Sequence, residues 1–188
     1  MCGIVGYIGF RECSEILLEG LRRLEYRGYD SAGIAIGVEG GEVCTVRAEG
    51  KLRNLERAYD KEGFDGVVGL GHTRWATHGR PTEENAHPHR AGRVIIAHNG
   101  IIENYAELKQ ELIALGHSFE SATDTEVIAH LIDRELADAE AEGGERDLHA
   151  ATQRALARVR GSYALVIMLT DRPDQLVGAR NPSPMVLG

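Results

Sequence analysis

Apolar and polar positions follow two different spacings along this chain, and the change of spacing predicts where strands give way to helices. Residues Gly3 to Gly9 read as a buried strand. Cys13 to Tyr26 carry Ile16, Leu17, Leu21 and Leu24 at helical spacing with charges between them. Gly33 to Val38 and Val43 to Arg47 flank Glu39-Gly40-Gly41-Glu42, a Gly-Gly turn between apolar runs that signals a hairpin. Further strands are expected at Val67 to Thr73, Val94 to His98, Tyr163 to Leu169 and Leu176 to Ala179. Helices are expected at Tyr105 to Leu115, Thr125 to Ala139 and Leu148 to Val159, each with an apolar stripe. The break from Ala139 to Asp147 reads as a loop joining two helices.

The early hairpin argues against a purely parallel, doubly wound sheet. It favours layered sheets with helices outside, an α+β chain. At 188 residues and 20.5 kDa the chain is large enough for one domain that buries its core without disulfides or metal. Pro184 to Gly188 start a new apolar run without a closing helix or polar tail, so the sequence is expected to stop inside a larger protein.

Charge narrows the choice of partners. Lys plus Arg number 21 against 29 Asp plus Glu, a net charge of -8, and this provides no basic surface for a phosphate backbone. Nucleic acid is therefore not expected as a partner, and with no window approaching eighteen consecutive apolar residues neither is a membrane. The amino terminus lacks a signal-peptide layout, so a cytoplasmic location is expected. Three cysteines, Cys2, Cys13 and Cys44, form no disulfide framework. The question becomes whether one of them is reactive.

Cys2 is the sharpest candidate. With Met1 removed, the thiol would share a residue with a free α-amino group, whose pKa of about 7.7 to 8.0 suits a base near neutrality. The alternative is a small apolar residue entering a core strand. Gly3 and Gly6 would let other segments approach that strand closely.

Three more sites carry candidate chemistry. Arg74, in His72-Thr73-Arg74-Trp75-Ala76-Thr77-His78-Gly79, suits bidentate capture of a small carboxylate under the cover of Trp75; otherwise it is a solvated Arg beside a packed Trp. Asn99-Gly100 offers a side-chain amide and a nearby backbone N–H for an oxyanion, and is equally a common turn dipeptide. Thr123 and Glu126 have capping-box spacing before a helix with Val127, Ile128, Leu131 and Ile132 inward. Between them, Asp124 either complements the helix dipole or pairs with a substrate ammonium. His72, His78, His87 and His89 invite a metal, but no Cys pair or carboxylate stands at zinc-site spacing around them, so no metal site is expected and loop hydrogen bonding is the expected role.

Together, Met1 to Gly6, Leu24-Glu25-Tyr26-Arg27-Gly28-Tyr29-Asp30-Ser31-Ala32-Gly33, the Arg74 loop, Asn85-Ala86-His87-Pro88-His89, Asn99-Gly100 and Thr123 to Glu126 resemble the class II glutamine amidotransferases, which use an N-terminal nucleophile. Within that family the Tyr26 to Gly33 and Thr73 to Gly79 strings are similar to the glutaminase half of the glucosamine-6-phosphate synthase branch. The resemblance covers essentially the whole chain. It implies the four-layer αββα sandwich of the N-terminal nucleophile hydrolases and a glutaminase domain over 1–188, truncated at its C-terminal end, without the sugar isomerase domains that would use fructose 6-phosphate. It implies Cys2 as nucleophile and Asn99 and Gly100 as oxyanion hole. Arg74, with Thr77 and His78, would clamp the α-carboxylate of L-glutamine. Asp124, assisted by the Gly100 carbonyl, would hold its α-ammonium, and Trp75 would belong to the loop that closes over it. No cofactor is implied. Asn181-Pro182 departs from the family's usual Gly-containing turn before Ser183-Pro184.

Two rivals remain. A retained Met1 would silence Cys2 and leave a non-catalytic glutamine-binding module. A papain-type Cys and His hydrolase would need a His beside Cys2, and no spacing in the sequence supplies one.

Overall fold

The computed structural model describes residues 2–38, 40–75 and 79–188. Among them the chain runs β1 (Gly3–Ile8), α1 (Ser14–Leu24), β2 (Ser31–Gly37), β3 (Val43–Glu49), α2 (Leu52–Glu62), β4 (Val68–Arg74), β5 (His89–Ala91), β6 (Val94–Ile102), α3 (Tyr105–Ala114), α4 (Thr125–Ala141), α5 (Leu148–Leu156), β7 (Gly161–Leu169) and β8 (Val177–Asn181). A short 3-10 turn at Glu25–Arg27 follows α1. The strands form two antiparallel sheets, ordered β1-β4-β2-β3 and β5-β6-β7-β8.

Three apolar clusters separate four layers. Leu17 and Leu21 of α1 and Leu52 and Leu55 of α2 pack on Ile34 and Ile36 of the first sheet. Ala35, Val68 and Leu70 meet Ile95, Ala97 and Met168 between the sheets. Ile96, Leu165 and Ile167 face Leu112, Ile128, Leu131, Ile132 and Ala151 on the far side. The order helix, sheet, sheet, helix is the α+β sandwich expected, because each sheet must bury both faces and each helix only one. On β4 the outer face carries Gly69 and Gly71. A Cβ there would sit 2.9 Å from Leu17 Cδ1 and 3.0 Å from Leu21 Cδ1, so the missing side chains let α1 lie flat on the sheet.

Several expectations change. α2 was not expected, since its stripe is only Leu52, Leu55, Ala58 and Tyr59 among charges; that i, i+3, i+7 spacing is nevertheless helical, and Gly63 closes it at φ 65° with its N–H on the Tyr59 carbonyl. β1 is half-buried rather than buried, because it is an edge strand. β6 continues through Asn99-Gly100 to Ile102, so this dipeptide is strand, not turn: β7 pairs with it continuously from Val94↔Leu169 to Ile102↔Gly161. α4 runs to Ala141, two residues past Ala139, where the loop was expected to begin.

Strand alternation then places the candidate chemistry. Positions 68, 70, 72 and 74 of β4 face the second sheet, and positions 95, 97 and 99 of β6 face the first. Ile4 of β1 also packs between the sheets, and Cys2 is in phase with it one residue ahead of the strand. Gly3 pairs with Thr73, so the start of β1 lies at the end of β4. His72, Arg74, Asn99 and Cys2 are thus gathered at one end of the space between the sheets.

Candidate active site

Cys2 Sγ lies 3.1 Å from the Trp75 backbone N–H, which donates to it, and 3.5 Å from the Trp75 carbonyl. The β1–β4 ladder delivers this contact. Gly28 protects it: a Cβ on Gly28 would stand 2.8 Å from the Arg74 carbonyl carbon and 2.9 Å from the Trp75 nitrogen. Burial pushes the Cys2 thiol above its ordinary pKa, opposed by the Trp75 N–H. A thiol so placed needs a base to become a nucleophile. None of the hydrogen bonds described for Cys2 involves a histidine. The Trp75 ring is 47% exposed and packs edge-on to Tyr29 at 6.0 Å.

Arg74 is only 3% exposed. Its Nη1 donates to the Arg80 carbonyl at 3.1 Å and its Nη2 to the Gly79 carbonyl at 3.3 Å. Burial lowers its pKa while the negative potentials of Cys2, Asp124 and Asp30 oppose the shift, and a guanidinium starting near 12.5 remains a cation. It is therefore a buried positive charge held in place by backbone carbonyls, not the solvated alternative.

Asn99 bridges the two sheets. Its Nδ2 donates to the Cys2 carbonyl at 3.2 Å, and its Oδ1 lies 2.9 Å from His72 Nε2. Gly100 follows at φ 144°, where a Cβ would lie 1.9 Å from the Ser162 carbonyl oxygen, so only glycine fits. Asp124 Oδ2 accepts the Ile102 backbone N–H at 2.8 Å, and its Oδ1 stands 4.0 Å from His98 Nδ1.

The expected capping box does not form. Asp124 occupies the N-cap of α4 without a side-chain cap bond. Thr123 Oγ1 pairs instead with Ser121 Oγ and His89 Nε2, while the Glu126 carboxylate turns back to the backbone N–H groups of Glu120 and Ser121 and the Ser121 hydroxyl. Burial works to raise the Glu126 pKa, but nearby His130, 3.6 Å away, and the bonds from Ser121 and those amides outweigh it and hold it at about 2.

Cys2, Arg74, Trp75, Asn99, Gly100 and Asp124 all line one cavity of about 1060 Å³. The residues that carry the thiol, guanidinium, amide and carboxylate therefore line the same open cavity, of a size to receive a small zwitterion. Thr77 and His78 lie outside the described residues.

His72, His87, His89 and His98 are buried, and loop hydrogen bonding is found at His87, in the loop before β5, and at His89, whose Nε2 pairs with Thr123 in the loop before α4. His72 and His87 stack at 4.2 Å, His89 packs edge-on to His87 at 4.5 Å, and His87 Nδ1 accepts the His98 N–H. His98 Nδ1 is 2.8 Å from Thr125 Oγ1. Among the described residues no group of three His, Cys, Asp or Glu could hold a metal ion. The sequence offered His72 as a metal ligand or a loop hydrogen-bonding residue, not as a strand residue between the sheets, and gave His98 no role. Their signal was present: each sits in an apolar strand whose alternation turns it inward. No helix among the described residues is long and apolar enough to cross a membrane.

Comparison with known proteins agrees with this arrangement. A family profile described as a glutamine amidotransferase domain matches residues 72–186. The chain is 54% identical over its whole length to glutamine–fructose-6-phosphate aminotransferase (isomerizing) of Mesorhizobium japonicum and 52% identical to that of Escherichia coli. It spans 30% of the length of each of these curated relatives. Among solved structures, the glutamine phosphoribosylpyrophosphate amidotransferase of B. subtilis superposes with a TM-score of 0.78 at 29% identity, covering 97% of this chain and 37% of that one. A class II glutamine aminotransferase domain protein from Silicibacter pomeroyi shares the fold, with a TM-score of 0.54 at 22% identity over 84% of this chain and 71% of that one. With a family match over more than half of its residues and the αββα layers to go with it, the chain belongs to the glutamine amidotransferase domain family.

Proposed function

We propose that this chain hydrolyses the side-chain amide of L-glutamine through a thioester on Cys2, releasing glutamate and ammonia. The observation that carries the reading is the convergence of Cys2, Asn99, Arg74 and Asp124 on one cavity. The α-amine of Cys2, free once Met1 is removed, takes the thiol proton. The thiolate adds to the amide carbon, and the Asn99 Nδ2–H and the Gly100 N–H receive the oxyanion. The ammonium returns its proton to the leaving nitrogen as the C–N bond breaks and ammonia departs. Water, deprotonated by the same amine, opens the thioester and restores the thiol. Arg74, with Thr77 and His78, binds the α-carboxylate; Asp124 and the Gly100 carbonyl bind the α-ammonium; Trp75 covers the bound glutamine. No metal or organic cofactor takes part.

In its relatives' names the nitrogen acceptor is fructose 6-phosphate. We read the chain as the glutaminase domain of such a longer protein, in which sugar isomerase domains would use the ammonia to form glucosamine 6-phosphate, in the cytoplasm. The test is incubation of the chain, its Met1 status fixed by intact mass, with glutamine. Glutamate and ammonia in equal amounts from the Met1-free form are expected. Glutamine binding without turnover by that form would overturn the reading in favour of a binding module.

A further inference from the structure

The geometry points to His72 as the positioning residue that sets which way the Asn99 amide faces, and so makes Asn99 a donor to the oxyanion. This rests on the proposed role of Asn99 in glutamine hydrolysis. His72 is fully buried in β4, opposite β6. Its Nε2 touches two oxygens, the His98 carbonyl at 3.1 Å and Asn99 Oδ1 at 2.9 Å. A backbone carbonyl only accepts, so the His98 carbonyl requires the proton on Nε2 whichever way Asn99 faces. With a donor at Nε2, the Asn99 group that meets it must be the oxygen. The Asn99 NH2 is then turned to the opposite side, where it donates to the carbonyl of Cys2, which lines the same cavity, at 3.2 Å.

The other tautomer would reverse the chain of consequences. A bare Nε2 would face two oxygens, and Asn99 would relieve one repulsion by rotating its NH2 onto His72. That rotation puts the amide oxygen beside Cys2, where a growing negative charge on the substrate would be repelled. Two features hold the ring against it. The His87 ring stacks on it at 4.2 Å with planes 15° apart. Among the described residues His72 Nδ1 is buried without a hydrogen-bond partner, so none of them stabilises a proton there. Burial also drives the His72 pKa down to about 3, which keeps the ring neutral at working pH.

The prediction is kinetic and separable from folding. His72→Phe keeps a flat ring but loses the donor, so Asn99 is free to rotate; kcat for glutamine hydrolysis should fall at least tenfold while KM changes less than about threefold. His72→Gln, whose amide can donate to Asn99 Oδ1, should recover most of that loss. Adding His72→Phe to Asn99→Ala should lower kcat no further, since His72 acts through Asn99. Long-range 1H–15N spectra of the wild-type protein should show His72 protonated on Nε2 alone, a readout that stands even if a variant fails to fold. An Nδ1-protonated ring overturns the inference. So does a His72→Phe enzyme with unchanged kcat, a loss that appears in KM instead, failure of His72→Gln to recover a loss seen in His72→Phe, or losses that multiply in the double variant. If Asn99→Ala itself keeps full kcat, the oxyanion role of Asn99 falls and this inference with it; if Asn99→Ala is slow and His72→Phe is not, the inference alone fails.

Discussion

Lowering the pH should destabilise this domain well before its carboxylates protonate. His72, His87, His89 and His98 are buried between or beside the sheets, and burial lowers the pKa of each. For His72 and His89 the folded value is about 3 against an ordinary 6.5. The neighbouring carboxylates oppose the shift, Glu126 at His89 and Asp124 at His98, but do not overcome burial. Below pH 6.5 the unfolded chain therefore binds protons that the folded chain refuses, so the stability present above that pH is lost as pH falls toward 3. The slope approaches about 1.4 kcal/mol per pH unit for each such histidine. Between about pH 7.5 and 5, His72 and His89 together take away roughly 4 kcal/mol, with His87 and His98 acting in the same direction. That is a large share of the 5 to 15 kcal/mol of a typical domain. Urea midpoints should fall steadily across this range, and melting temperature should drop by about 10 °C or more. His89→Gln, at a residue that does not line the cavity, should flatten the slope by up to about 1.4 kcal/mol per pH unit. Stability that is level from pH 7.5 to 5, or His72 and His89 rings that titrate near 6.5 in the folded protein, would refute the reasoning.

Other expectations follow from the same geometry. Cys2→Ala should abolish glutamine hydrolysis while Cys13→Ala and Cys44→Ala retain it, and a glutamine-like electrophile should label Cys2 first; Cys13 is buried, with burial and then Asp65 pushing its thiol up to about 12, so preferential labelling there would contradict the mechanism. Arg74→Ala and Asp124→Asn should mainly raise KM, each lost charge pair costing on the order of 2 to 5 kcal/mol, whereas Asn99→Ala should lower kcat about a hundredfold with glutamine still bound. The Asn replacement at 124 retains an acceptor for the Ile102 N–H. Calorimetric titration of glutamine into Cys2→Ala backgrounds separates these, and equal loss of binding in Asn99→Ala and Arg74→Ala would remove Asn99 from the oxyanion role. Gly33→Ala should cost about 1 to 3 kcal/mol by overpacking, because its Cβ would stand 2.3 Å from the His87 carbonyl oxygen; an unchanged melting temperature would show that the loop yields freely.

Period alone determined much of this protein. The apolar runs at Val67 to Thr73 and Val94 to His98, the early Gly-Gly hairpin and the stripes of α1, α4 and α5 were enough to expect layered sheets with helices outside, since burial of an apolar face depends on local spacing. The identities of Cys2, Arg74, Asn99, Gly100 and Asp124 were likewise legible as chemistry without a site. What the sequence left open depends on partners distant in the chain. Asn99-Gly100 is a turn by local preference and a strand in the fold, because the ladder to Ala164 and Tyr163 outweighs that preference. Glu126 has the spacing of a cap and serves the Glu120–Ser121 backbone instead, where the buried Ser121 amide needs an acceptor. Only the stacking of one sheet on the other brings His72 to Asn99, and Asn99 to Cys2 97 residues away. No local pattern encodes the orientation of a side-chain amide, which is set by the hydrogen bonds it finds once both sheets are in place.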